Sequence, residues 1–268
     1  MNNLFEYLLL GLIQGITEPL PISSSGHLLI FKELFQMNAL NDLNFEIIVN
    51  FGSLLAIIFL YRKMIWKLIK EFFLYLKTKE EKYKASFKYA WLIVIATIPA
   101  GLLGFIFKDK IELISGNVKY VGAALLITAL ALFIVRKLDG KKNEKEITYG
   151  DAIKVGLFQA VALLPGISRS GSTIVGGLLS DLKKDTAVNF SFMLYIPISI
   201  ATMILGVADL IKTPNVGNYL LPYGLGMIIS AVITYFSAKI FINIVKQKKL
   251  IYFVIYCLVV GTLVLLFL

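Results

Sequence analysis

Apolar runs recur through this chain near 45–61, 91–107, 120–135, 189–210, 221–242 and 251–268. Each is close to the roughly 17–20 helical residues needed to cross a hydrocarbon core about 30 Å thick. Composition agrees: 58% of residues are hydrophobic and 16% charged, against about 45–50% and about 25% in soluble domains. The expected fold class is therefore all-α, a polytopic membrane protein with about six transmembrane helices and little mass outside the lipid. The segment 4–16 lacks a basic n-region and carries Glu6, with Glu18 just beyond, so it reads as membrane structure rather than a signal peptide. The lone Cys257 excludes an intramolecular disulfide and reads as packing.

A net charge of +10 would suggest nucleic acid in a soluble protein, but here it follows from placement. Arg62–Lys88 holds nine Lys or Arg, Arg136–Lys145 five and Lys246–Lys249 three. Such segments stay on the cytoplasmic side of a membrane. The expected partners are membrane lipids, and no nucleic acid.

Two stretches resemble each other. GLIQGITEPLPISSSG (Gly11–Gly26) and GLFQAVALLPGISRSG (Gly156–Gly171) align at a constant offset of 145, sharing Gly, Leu, Gln, Ile, Ser, Ser and Gly. The offset continues without a gap to Asn44–Phe45 and Asn189–Phe190. Two halves are predicted, 1–147 and 148–268. Three spans separate the motifs, near 45–61, 91–107 and 120–135. With 62–88 and 136–149 on one side and the tip 108–119 on the other, the second half is inverted relative to the first. Its spans fall near 189–210, 221–242 and 251–268.

The motifs themselves are too broken to be spans. Leu4–Thr17 is 14 residues, about 21 Å as a helix. Pro19 and Pro21 then interrupt it before a second short helix, Gly26–Phe35. The second copy repeats the pattern with Ala152–Leu163, a break at Pro165–Gly166 and a helix from about Ser170. Re-entrant helical hairpins are expected at 4–36 and 152–180, since irregular backbone at membrane depth survives only inside protein or beside a wet cavity.

The hairpins deliver Gln14, Thr17, Glu18, Ser23, Ser24, Ser25 and His27 from one side, and Gln159, Ser168, Arg169, Ser170, Ser172 and Thr173 from the other. A helix that follows a break aims its free N–H groups and dipole back at it, which favours an anion. Arg169 adds a charged fork suited to phosphate, and Gly26, Gly166 and Gly171 would let backbone approach a ligand. An anion transporter needs no more than this. Glu18, an acid costly in a membrane, and His27, the one histidine of the chain, tilt the reading toward catalysis. Ser23 and Ser168, at equivalent repeat positions, are the favoured ligand contacts among the serines. Glu46 is placed to face the site from the neighbouring span.

At these residues the chain resembles the bacterial undecaprenyl-diphosphatases. QGITEPLPISSSGH looks like their first signature and PGISRSGST like their second, in the right order and spacing. The resemblance implies an integral membrane hydrolase of the bacterial inner membrane, its site opening to the outer face. It would convert undecaprenyl diphosphate to undecaprenyl phosphate and inorganic phosphate, recycling the carrier for peptidoglycan synthesis and conferring resistance to bacitracin, which shares the substrate. It implies a divalent cation, Mg2+ or Ca2+, with Gln14 and Glu18 at the acidic motif. It implies catalytic roles for Glu18, His27, Ser168 and Arg169 and a substrate contact from Thr173; the reading of the hairpins adds substrate contacts from Ser23, Ser24, Ser25, Gly26, Gly166, Ser170 and Gly171. Many members carry Glu where this chain has Gln14, and a neutral amide is a poorer metal ligand. His27, a serine or water are left open as the nucleophile, and a homodimer as the assembly. The rival reading is a transporter or flippase for a polyprenyl phosphate.

Overall fold

The computed structural model describes residues 4–37, 43–107, 110–111, 116–210 and 216–268. Parts of the expected tip at 108–119 lie outside them. Among the described residues the chain is built from helices: α1 (Leu4–Thr17), α2 (Ser24–Phe35), α3 (Leu43–Thr78), α4 (Glu81–Ile106), α5 (Val118–Val135), α6 (Tyr149–Val161), α7 (Arg169–Leu178), α8 (Lys184–Leu210), α9 (Leu220–Lys246) and α10 (Ile251–Phe267), with 3-10 turns at Glu144–Glu146 and Val216–Tyr219.

Five of these, α3, α4, α5, α8 and α9, are long and apolar enough to cross a membrane. The sixth expected span, α10, is apolar but only 17 residues long. The molecule is a multi-pass, all-helical membrane protein.

The basic stretch 62–88, expected as a loop, is mostly helix. α3 runs on to Thr78 and α4 starts at Glu81, joined by a tight turn in which Lys79 has φ 56°. Lys, Arg and Glu are good helix formers, and aromatic rings fasten the two arms together, Phe72 on Phe87 at 5.1 Å and Tyr75 on Phe87 at 4.8 Å. Charge there marks where the chain leaves the apolar layer, not where the helix ends.

Close backbone contacts dock the short helices. α1 packs along α9, α6 along α4, and α5 along α10. A Cβ on Gly11 would sit 2.5 Å from the Gly226 carbonyl oxygen, and one on Gly156 2.5 Å from that of Ala96. Small residues at such crossings replace the hydrophobic drive that lipid cannot supply. Phe45 and Phe190 are both fully buried, Phe45 against Tyr7 and Tyr223, Phe190 against Tyr89.

The basic segments gather at one end. Lys248 pairs with Asp139 at 2.8 Å, Lys88 donates to the Lys145 carbonyl at 3.5 Å, and a parallel bridge joins Lys142 to Leu182. There Thr148 and Asp151 cap α6 reciprocally and Lys142 reaches Asp151 at 2.9 Å.

Candidate active site

Two breaks meet at the centre of the molecule. In the first, α1 closes with the Glu18 N–H on the Gln14 carbonyl, and Pro19 and Pro21 prevent the helix from continuing. Ser23 then adopts φ 67° and caps α2, its hydroxyl accepting from the Gly26 N–H at 3.3 Å. A positive φ at a non-glycine residue is strained and survives only where surroundings enforce it. In the second break Gly166 takes the left-handed turn at φ 84°, and Ser168 caps α7, accepting from the Gly171 N–H at 3.1 Å. α2 and α7 start one residue or more earlier than the sequence pattern placed them, at Ser24 and Arg169, because these serines act as caps.

Across the breaks, Glu18 and Arg169 form an ion pair. The buried Glu18 carboxylate also accepts from the Ser24 hydroxyl, and from the Gln14 amide at 2.9 Å. The Arg169 guanidinium lies over the Tyr195 ring, its carbon 3.9 Å from the centroid, and the Tyr195 hydroxyl donates to the Asn50 carbonyl at 3.0 Å. Ser170 reaches over to the first break, donating to the Leu20 carbonyl at 2.9 Å. Thr173 is buried, bonded back to its own helix and to Ser191 at 2.5 Å.

The three glycines also serve the packing of the breaks. A Cβ at Gly26 would meet Val121 at 2.9 Å, one at Gly166 the Val121 Cα at 2.8 Å, and one at Gly171 Ser168 at 3.1 Å. They bring the two breaks and α5 together. Ser23 and Ser168 likewise hold helix ends, with 4% and 1% of their surface exposed.

His27 sits apart from the ion pair, in contact with α10. Its Nδ1 is 2.8 Å from the Ser23 carbonyl oxygen, which can only accept, so Nδ1 carries the proton in the neutral ring. Nε2 then accepts from the Tyr256 hydroxyl at 2.7 Å, with the two rings stacked at 5.5 Å.

Two cavities flank the breaks. The one at Glu18, Arg169, Ser170 and Tyr195 is only about 10 Å³, room for about one water. The other, about 360 Å³, is lined by Ser25, Lys32, Glu46, Pro165 and Gly166. Glu46 thus faces this second cavity and not the ion pair.

The side chains present do not by themselves fit a divalent cation. Glu18 is the one carboxylate at the breaks and already receives a guanidinium, a hydroxyl and an amide N–H. Among the described residues no three His, Cys, Asp or Glu gather anywhere. Oxygen-rich cations such as Mg2+ and Ca2+ need more than this.

Tyr195, Tyr256, Asn50 and Ser191 escaped sequence reasoning. Asn50 and Ser191 lie inside the segments 45–53 and 190–192 that belong to the resemblance; Tyr195 and Tyr256 lie in apolar helices, where the available signal was an aromatic with a polar tip, which needs a partner when buried.

Comparison with known proteins places these features in context. The family described as "Bacitracin resistance protein BacA" matches residues 7–263. A protein of Bacillus thuringiensis named undecaprenyl-diphosphatase 2 is 46% identical over 265 residues, covering 99% of this chain and 98% of its own. Undecaprenyl-diphosphatase 1 of Bacillus licheniformis is 45% identical, with 98% of both chains covered. The protein of that name from Halalkalibacterium halodurans is 42% identical over 98% of this chain and 95% of its own.

Proposed function

We propose, since the chain belongs to the bacitracin resistance protein BacA family, that it is an enzyme of the bacterial cell membrane hydrolysing undecaprenyl diphosphate to undecaprenyl phosphate and inorganic phosphate. The observation that carries this reading is the Glu18–Arg169 pair bridging two broken helices, with Ser24 hydrogen-bonded to the same carboxylate. The rest of the reading follows the sequence: two inverted halves, 1–147 and 148–268, each opening with a re-entrant hairpin. The crossed docking of α1 on α9 and α6 on α4 supports it. The 360 Å³ cavity lies away from the basic end and suits a diphosphate arriving from the outer face.

The small volume beside Glu18 means that substrate must displace the pair. The terminal phosphate draws Arg169 off Glu18, exchanging one carboxylate for phosphate oxygens that match the fork. The N–H groups at the start of α2 and α7 face the same space and add positive potential. Glu18, relieved of the guanidinium, accepts the Ser24 proton. The Ser24 oxygen then bonds to the terminal phosphorus as the anhydride P–O bond breaks, and the lipid monophosphate leaves with the electron pair. Water cleaves the phosphoserine and releases inorganic phosphate. His27 keeps Nε2 as a proton acceptor, and its part in proton transfer requires the Tyr256 contact to be exchanged for water or substrate. A divalent cation would have to arrive bound to the diphosphate, since Glu18 serves here as the base and the other carboxylate bordering the two cavities is Glu46, in the lining of the larger one.

The activity would recycle the lipid carrier for peptidoglycan synthesis and lower the diphosphate available to bacitracin. Phosphate release from undecaprenyl diphosphate by the purified protein tests it, alongside Arg169→Ala, His27→Ala and a chelator. Release by the parent, falling about a hundred- to a thousandfold in Arg169→Ala, is expected. Release undiminished by the chelator would remove the cation. Absence of release from folded protein would leave a binding cradle and favour the second reading, movement of a polyprenyl phosphate, to which paired broken helices also point.

A further inference from the structure

Another cavity, of about 320 Å³, lies at the basic end, between α3, α4 and the turn at 144–146, and shares no lining residue with the two at the breaks. Three ammonium groups border it, Lys63, Lys67 and Lys145, against one carboxylate, Glu144. Glu144 is already engaged, accepting from Asn189 at 3.2 Å. Lys63 and Lys67 stand four residues apart on one helix face, a like-charge spacing that costs stability unless an anion lies between them. Lys63 and Lys145 form no ion pair among the described residues, and Lys67 has Glu71 at only 4.0 Å.

At the inner side of the cavity is Tyr89, 5% exposed, whose hydroxyl has no hydrogen-bond partner. Buried hydroxyls are nearly always paired, so an orphan beside a cationic cavity points to a missing acceptor. Met64 and Leu68 add an apolar part to the lining. The level in the membrane is also marked. The chain's two tryptophans, Trp66 and Trp91, are 70% and 43% exposed on the same two helices, and exposed tryptophans settle at headgroup depth.

We propose that this cavity binds a phosphate oxyanion carried by a membrane lipid, the headgroup of an anionic phospholipid. The lysines hold the phosphate, Tyr89 donates to one of its oxygens, and Met64 and Leu68 receive the first carbons of the tail. The site is separate from the proposed phosphatase centre and would survive the failure of that reading.

The test uses full-length protein in nanodiscs, with Trp91→Phe so that Trp66 alone reports. Quenching of Trp66 is compared between brominated phosphatidylglycerol and brominated phosphatidylcholine, each diluted in unlabelled phosphatidylcholine. A preference for the anionic lipid is expected, falling about fivefold for each of Lys63→Gln, Lys67→Gln and Lys145→Gln. Lys63→Arg with Lys67→Arg should retain it, which separates loss of charge from loss of fold. Tyr89→Phe should weaken it while leaving phosphate release unchanged. Equal quenching by the two lipids in the parent, or a preference untouched in the triple Gln variant, would overturn the proposal. Displacement by millimolar inorganic phosphate alone would assign the cavity to soluble phosphate and overturn the lipid headgroup.

Discussion

The two broken-helix segments share a scaffold and divide the chemistry. At the offset of 145, the positions that match build structure. Ser23 and Ser168 cap the helices, Gly11 and Gly156 dock them, and Phe45 and Phe190 fill the core beside them. The positions that carry reactive groups do not match. Glu18 aligns with Leu163, Ser24 with Arg169, His27 with Ser172 and Thr173 with Leu28. Even the matched glutamines diverge: Gln14 serves Glu18, while Gln159 donates to the Ala96 carbonyl at 3.3 Å and leaves its own oxygen unpaired. A repeated fold supplies the position, and the departures from repetition supply an acid on one side and a cation on the other.

The sharpest way to break this division is to remove its opposite ends. Arg169→Lys keeps the charge but loses the fork, and a drop of about a hundredfold or more in kcat for phosphate release is expected; near-parent turnover would end the assignment. Ser24→Ala should fall comparably with an unchanged melting temperature. The neighbouring Ser23→Ala and its counterpart Ser168→Ala should instead lose about 1 kcal/mol of stability each, with kcat within a few-fold of the parent. If Ser23 or Ser168 proves the silent position for stability and the costly one for turnover, the scaffold and the chemistry have been interchanged here.

Gly166→Ala probes the turn found only in the second break. A φ of 84° and a Cβ 2.8 Å from Val121 predict a loss of about 1–3 kcal/mol, read as a lower melting temperature. The smallest effect concerns the anchoring of α6. Burial raises the Asp151 carboxyl, but the Thr148 N–H, the Lys142 ammonium and the Thr148 hydroxyl outweigh it and hold it below its ordinary value. Its contribution is therefore present above about pH 4 and lost as pH falls further. Asp151→Asn should cost about 1 kcal/mol or less at pH 7 and flatten the acid limb of a stability profile.

Much of this was legible in the sequence, for identifiable reasons. Spans follow from apolar length, and both breaks from Pro19, Pro21 and Pro165–Gly166, whose backbone demands are local. Arg169 and Glu18 stood out because charge is scarce at that depth. What the pattern did not separate was cap from ligand: a serine before a helix looks the same in either role, and the capping by Ser23 and Ser168 comes into view only in the structure. Nor could it show that the His27 ring turns to Tyr256, because that partner lies 229 residues away, in a helix that also offers Tyr252 and Thr262.

α5 and α10 pack on each other and carry Val121 and Tyr256, the residues that press on the breaks from behind. At 18 and 17 residues they measure about 26–27 Å along their axes, whereas α8 and α9, with 27 residues each, extend about 40 Å. If both cross the membrane, hydrophobic mismatch in a thick bilayer would fall on this short pair before α8 and α9. Lipid thickness would then reach His27 and Gly166 through the contacts of Tyr256 and Val121.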